Sequence, residues 1–522
     1  MGARPVSSAD WRKRPSWKLA PPHDAMAQGL VVSGFVGQEC AGALLLEFGW
    51  TEVGKGRGGW LAALQQVCPI TDAGGPDPRP AALAFTYTGL ERMGLNRAAL
   101  ASFPDPFREG MCQVDRLRRL GDRRGDDWQG TVISGGYNWS GNAPIAESGP
   151  IERIATPCTV HAMLIVYDAD EAAVEERVNA ITAAIGPHGV AIVRRLPLSL
   201  RLDENGIARE HFGFADGISQ PVPFEENGVV YGDGRPVPRD RWHGVPLGDV
   251  LIGHMDAHHE VAPGPVVRED PTSDPASVEL PLEGAPGGYR NLGLNGSYLV
   301  VRELRQDVPA FWHSLDRGTK KLRDGDPRHS GHVTAEWLAE RVVGRSVDGH
   351  LLCPSGLLAK DEYGQPQNDF LFLDTDPHGR GCPLGSHVRR GNPRDGLAKD
   401  KNSAQTLLDA ANNHRLLRRG RKFGPTIDDP RVEDGKDRGL LFICLNTDIA
   451  RQFEFVQQTW LLNPNFATLF DEMDPLVGPK GPMTIREDPL RRIIEVETFV
   501  QCAGGEYFFL PSMPALAYLA AR

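Results

Sequence analysis

Residues 160–200 constrain the fold most strongly. VHAMLIVYDAD (Val160–Asp170) is an apolar run that ends in acids, and VAIVRRLPLSL (Val190–Leu200) is a second run rich in strand-forming residues. Between them Val174, Val178, Ile181 and Ile185 recur at spacings of four, three and four, which places all of them on one face of a helix. Asp170 stands where it can cap the start of that helix and Gly186 where it can end it. A helix with one apolar stripe needs a second layer to cover it, and the flanking strands supply one. This predicts a strand–helix–strand unit, helix on sheet. GLVVSGF (Gly29–Phe35) and AALAFTYTGL (Ala81–Leu90) read as further strands of the same half.

The second half repeats the pattern. GSYLVVREL (Gly296–Leu304) reads as a strand, followed by the helical RQDVPAFWHSL. RGLLFICLN (Arg438–Asn446) is a strongly apolar strand, and a helix behind it aligns Ile449, Phe453, Val456 and Trp460. GEYFFLPS (Gly505–Ser512) closes as a strand and PALAYLA as a short helix. The halves share no exact repeat, but both are α+β. The expected organisation is a polar arm (1–28), an N-terminal half (29–235), a Pro-rich connecting insert (236–290) and a C-terminal half (291–522). Within the insert, residues 262–288 are acidic and poor in large apolar side chains, which predicts a loop outside the core. Residues 105–154 and 394–422 also read as insertions.

At 522 residues and 40% hydrophobic content, the chain can bury a sizeable core. Its net charge of −11 argues against a nucleic-acid scaffold or a binder of anionic membranes. Eight cysteines without a C-x-x-C pair exclude a disulfide framework, the usual structural zinc spacing and a thioredoxin-like motif. The N-terminus has basic residues but no apolar core after them, and the chain has no long uncharged apolar run. A cytoplasmic location, with no membrane and no nucleic-acid partner, is the expectation.

Four stretches hold residues with chemistry. In HFGFADGISQP (His211–Pro221), Asp216 sits in a glycine-rich turn among aromatic residues. It reads either as an Asx-turn acceptor for the amides of Ile218 or Ser219, or as a proton carrier in partly apolar surroundings. In CPLGSHVRRGNPRDG (Cys382–Gly396), His387 precedes Arg389, Arg390 and Arg394; the alternatives are a ligand site and a solvated basic patch. NNHRLLRRGRKFGP (Asn412–Pro425) places Arg418 and Arg419 after two leucines, as an inward cation or a helix end. In LNTDIARQFEF, Asp448 lies between strand and helix, where an N-cap is the ordinary role.

Taken in order, these stretches resemble the dye-decolourising peroxidase family, in particular its larger members. GFADG matches the family's G-x-x-D-G signature; CPLGSHVRRGNPRD resembles its proximal histidine segment and HRLLRRG its distal arginine segment. RGLLFICLNTDIARQFEFVQ, GGEYFFLPS, LGLNGSYLVVREL and FTYTGL are similar as well, so the resemblance runs from about Gly29 to Leu519. It implies two ferredoxin-like α+β halves with antiparallel sheets, as in a dimeric α+β barrel. Haem b (iron protoporphyrin IX) would sit in the C-terminal half, covered by the segment around Asp216.

The same resemblance assigns roles. His387 would be the axial iron ligand, with Asp448 as the carboxylate on its other ring nitrogen. Asp216 would be the acid–base group and Arg418 the cation that stabilises charge as hydrogen peroxide is cleaved. Aspartates ionise near pH 3.9, so an acidic optimum is expected unless burial intervenes. Leu440 and Phe442 match distal apolar positions, and Arg389 and Arg394 are candidates for the haem propionates. Bulky dyes and phenolic or lignin-like aromatic donors would deliver electrons at the haem edge or at a surface Tyr or Trp. Several family members carry a tyrosine five residues beyond the distal arginine; this chain has Phe423, so Trp460, Trp312, Trp337 or Tyr363 would have to serve. The alternative function is a haem-handling or haem-sensing protein with weak turnover, and a shell-packaged cargo ranks below it. A homo-oligomer is left open.

Overall fold

The computed structural model describes residues 17–50, 57–122, 136–141, 154, 156–203, 206–225, 229–232, 235–238, 242–358 and 366–522. The predicted strand–helix–strand unit is present. Asp170 accepts the Ala173 amide at 2.8 Å, the helix Glu171–Ile185 follows, and Gly186 is its C-cap. Val174, Val178, Ile181 and Ile185 are all buried. Each such aliphatic side chain contributes roughly 1.5–3 kcal/mol on leaving water.

The first half runs β1 (Cys40–Phe48), α1 (Gly59–Val67), β2 (Ala81–Phe85), β3 (Ala162–Asp168), α2 (Glu171–Ile185) and β4 (Val190–Ser199). Its strands pair antiparallel in the order β2-β3-β1-β4. The second half runs β5 (Ser297–Gln306), α3 (Val308–Gly325), β6 (Arg421–Phe423), β7 (Gly439–Asn446), a π-helical segment (Ala450–Glu454 and Val456–Leu461) and β8 (Val500–Leu510). Its order is β8-β5-β7-β6, the same ferredoxin-like arrangement. The halves join edge to edge. Lys422 pairs with Ser199 and Phe423 with Leu198, while Phe509 pairs with Phe85. The sheet therefore closes on itself, which removes its free edges.

Alternation along the strands separates two faces. Ala41, Ala43, Leu45, Ala82 and Ala84 meet Val301, Ile443, Leu445 and Phe508 from the other half in one cluster. Leu44, Leu46, Leu83 and Leu164 face the opposite way, onto the helices. Small alanines on the inner face let the two halves close tightly.

Two expectations are corrected here. GLVVSGF is not a strand but a series of turns, although Leu30 and Val31 are fully buried. Guanidinium groups take the carbonyls that a sheet partner would have bonded: Arg419 donates to Leu30 O (2.8 Å) and Val31 O (2.6 Å), and Arg421 to Gly34 O (2.9 Å) and Phe35 O (2.8 Å). The Pro-rich stretch 262–288 is mostly turns, but it does enter the core. Val267 and Leu280 are buried, held by pairing of Val266–Arg268 with Tyr289–Asn291. The eight cysteines are free, and among the described residues no helix is long and apolar enough to cross a membrane.

Candidate active site

A cavity of about 320 Å³ lies in the second half, walled by β5, β7, the π-helical segment and the loop that carries the GFADG turn. That volume is in the range of small-molecule and cofactor sites. Leu304, Leu440, Phe442, Phe453 and Val456 supply apolar wall; His387, Asp216 and Arg418 line the same space. The structure thus gathers one residue from each of three distant motifs. A larger open groove of about 1420 Å³ lies elsewhere, along Glu225, Asp256, Glu283 and Asp409. It collects carboxylates, amides and three histidines, His23, His254 and His259, but among the described residues no arginine lines it, and it holds none of His387, Asp216 and Arg418, so the smaller cavity is the candidate site.

His387 opens a short helix, His387–Gly391, behind the buried Ser386. Its Nδ1 donates to Asp474 Oδ2 at 3.0 Å. The other oxygen of Asp474 accepts the amides of Leu476 and Val477, both at 2.9 Å. Burial alone would favour neutral forms of both groups. For His387 the adjacent Asp474 charge and hydrogen bond outweigh burial and raise its pKa; for Asp474 the pull of His387 outweighs burial and lowers its pKa. The pair fixes the proton on Nδ1 and leaves Nε2 as the ring nitrogen free for a ligand. A third of the His387 side chain (33%) remains accessible, and His387 faces the cavity.

Asp448 is not the partner of His387. Its Oδ1 accepts the Arg451 amide at 2.9 Å, capping the π-helical segment, and it does not line the cavity. The carboxylate that reaches the imidazole comes instead from the later DPL turn, 87 residues beyond His387.

Asp216 projects from a turn whose path needs glycine: Gly213 has φ 104° and Gly217 φ 74°. Its Oδ1 accepts the Gly217 amide at 2.6 Å, not the amides of Ile218 or Ser219. The side chain is exposed and lines the cavity. Arg418 is tied to the same loop: its Nη2 donates to Ser219 O at 2.8 Å. The Gln220 side-chain amide clasps the Arg418 backbone, accepting its N–H at 3.0 Å and donating to its carbonyl at 3.2 Å. The ISQP residues therefore join the Asp216 turn to the arginine segment, a role the sequence reading missed.

The arginines divide. Arg389 is buried away from the cavity, donates to Asp376 O (2.9 Å) and Cys382 O (3.0 Å), and stacks on Phe372; it is not placed to meet a ligand there. Arg394 does line the cavity, with Arg345 and Arg415, which the sequence reading did not single out. Arg394 donates to Asn368 O (2.7 Å) and Phe370 O (2.8 Å), and Arg345 to Gly349 O (2.7 Å) and the Asn368 amide oxygen (2.6 Å). These acceptors are carbonyl and amide oxygens, not carboxylates. Burial, with neighbouring arginines adding to it, lowers the pKa of Arg394 well below its usual value; burial brings that of Arg345 to about 10. Such a cluster favours an anionic ligand.

Leu440 and Phe442 line the cavity. Phe423 is buried, and its carbonyl meets His211 Nε2 at 2.7 Å. Trp312 and Trp460 are buried, Trp337 is half-buried under Arg341, and Tyr363 lies outside the described residues.

No family model matches the chain. In sequence it is 28% identical over 407 residues to the multifunctional dye peroxidase of Amycolatopsis sp., an alignment covering 71% of this chain and 75% of that protein. A dye-decolorizing peroxidase of Mycetinis scorodonius is 27% identical over 468 residues, covering 83% of this chain and 75% of the relative. Among solved structures, a DyP-type peroxidase of Anabaena sp. superposes with a TM-score of 0.66 at 24% identity, covering 98% of this chain and 97% of that one.

Proposed function

We propose that this chain, which belongs to the dye-decolourising peroxidase family, holds haem b in the cavity lined by His387, Asp216 and Arg418. There, as a peroxidase, it reduces hydrogen peroxide and oxidises bulky dyes and phenolic or lignin-like donors. The observation that carries this reading is His387, held from behind by the buried Asp474, facing the same cavity as an aspartate and an arginine.

The residues present fit the cofactor. A porphyrin is a flat apolar ring with a metal at its centre and two carboxylates at its edge. The cavity offers Phe442, Phe453 and Leu440 to the ring, His387 Nε2 to the metal, and Arg394 and Arg345 to the carboxylates. When bound, haem supplies the redox-active iron at which the peroxide O–O bond is cleaved.

The chain's own residues do the rest. Asp474 holds His387 in one tautomer and makes it a stronger donor. Asp216 takes a proton from one peroxide oxygen and returns it to the other. Arg418 faces the charge that develops on the departing oxygen, and a guanidinium keeps its charge over any working pH. The apolar walls exclude water and strengthen both interactions. A donor larger than the 320 Å³ cavity gives up its electrons at the rim. Haem binding without turnover would require neither Asp216 nor Arg418.

Stopped-flow measurement of the second-order rate with peroxide, from acidic to neutral pH, tests the assignment. Arg418→Leu is expected to lower it by orders of magnitude at every pH. Asp216→Asn is expected to lower it and to flatten the acidic limb. An Asp216→Asn protein with unchanged rate and profile would reduce Asp216 to a turn residue.

A further inference from the structure

The cavity holds a second carboxylate that the mechanism above does not use. Glu210 lines it together with Asp216 and Gln306. Its Oε2 accepts the Phe212 amide at 2.8 Å and the Gln306 Nε2–H at 2.7 Å, and its Oε1 accepts the Phe214 amide at 2.8 Å. Both backbone donors belong to the turn that presents Asp216, and the Glu210 amide bonds back to Phe214 O at 3.1 Å. We propose that Glu210 is the positioning residue for Asp216: it clamps the turn from the cavity side, and its charge state sets how firmly the aspartate is held.

Three N–H donors converge on this carboxylate, so its ionised form suits the site. Protonation turns one oxygen into a donor, which then opposes an N–H already aimed at it. The clamp loosens in that form. Burial, set against these hydrogen bonds and reinforced by the Asp216 charge, places the Glu210 pKa at about 7. The charged groups that face it are Asp216 on its own loop and Lys422 on β6; Gln306, from β5, is neutral. The switch therefore falls near neutral pH.

This inference rests on the assignment of Asp216 as the acid–base group, and the experiment separates the two. Peroxide rates of the haem-loaded protein are measured from pH 5 to 9 for wild type, Glu210→Gln, Asp216→Asn and the double variant. Haem occupancy and melting temperature are recorded for each. In the wild type the rate is expected to show an inflection near pH 7. Glu210→Gln should remove it and lower the rate at pH 8 roughly 10–100-fold, with haem occupancy unchanged. In the Asp216→Asn background the same substitution should have little further effect, as for residues that act as a unit. Equal losses in both backgrounds would overturn the proposal, because Glu210 would then act without Asp216. An Asp216→Asn protein as fast as wild type would instead sink the assignment of Asp216, and the Glu210 role with it.

Gln306→Leu gives a second reading should Glu210→Gln fail to fold. It removes one donor to the carboxylate and leaves both turn amides in place, so the inflection is expected to move to higher pH. Carboxyl infrared difference spectra of the haem-free protein over the same pH range report that titration without turnover. An unmoved transition in both measurements would contradict the role of Glu210.

Discussion

Replacing Asp474 by asparagine changes one atom and should change which nitrogen of His387 carries the proton. In the native site Asp474 Oδ1 takes two amides, from Leu476 and Val477, and Oδ2 takes His387 Nδ1–H at 3.0 Å. Asparagine can keep its oxygen on the two amides, which turns its NH2 toward His387. The opposite orientation would set that NH2 against two backbone N–H groups, and each buried unsatisfied donor costs about 1–3 kcal/mol. The first orientation therefore wins. His387 Nδ1 must then accept, and the proton moves to Nε2, the nitrogen that faces the cavity. A protonated Nε2 has no lone pair for iron. Substitutions behind a metal-bound histidine typically weaken the metal roughly 10–100-fold, or about 1.4–2.7 kcal/mol. Haem titration followed by Soret absorbance measures the loss, and the iron–histidine stretching frequency of the variant that still binds should fall. Unchanged affinity together with an unchanged frequency would refute the tautomer argument.

Asp448→Ala should lower stability by about 1 kcal/mol through loss of a helix cap, with haem affinity unchanged; chemical denaturation and the same titration check both parts. His161 and His211 are buried, and burial lowers each pKa from 6.5 to about 4. The unfolded chain therefore binds more protons between these values, so the stability they contribute is fully present above pH 6.5 and lost as pH falls toward 4. The loss is at most roughly 3 kcal/mol per histidine. Urea melts at pH 7 and pH 5 should differ accordingly, and equal stability at the two would contradict the assignment.

The parts of the fold legible in the sequence are those with unbroken periodicity. Residues 160–200, 296–304 and 438–446 fold as read because each apolar run is long enough to exclude other arrangements. CAGALLLEF, which forms β1, was missed, since its small inner-face alanines hide the alternation that marks a strand. GLVVSGF misled for the opposite reason. It is apolar and β-branched, yet two arginines almost 390 residues away, Arg419 and Arg421, take its carbonyls. At the site, His387, Asp216 and Arg418 stood out because each lies in a compact local motif. Asp474 did not, because what makes it a partner is a turn folded back over 87 residues. Asp448 stood out instead because it closes a strand and opens a helix, the signature of a cap. Arg394 stood out because it lies in the His387 segment; Arg345 and Arg415 join it in one cavity only after the chain folds, and among 57 lysines and arginines nothing local sets those two apart.

Titration of the haem-free protein with haem, wild type against His387→Ala, tests the central claim most directly. The wild type should take up one haem per chain and develop a Soret band with the features of histidine ligation. His387→Ala should lose most of that affinity while keeping its fold by circular dichroism. Equal affinity and the same ligation spectrum in the two proteins, or no Soret band in either, would contradict the placement of haem in this cavity.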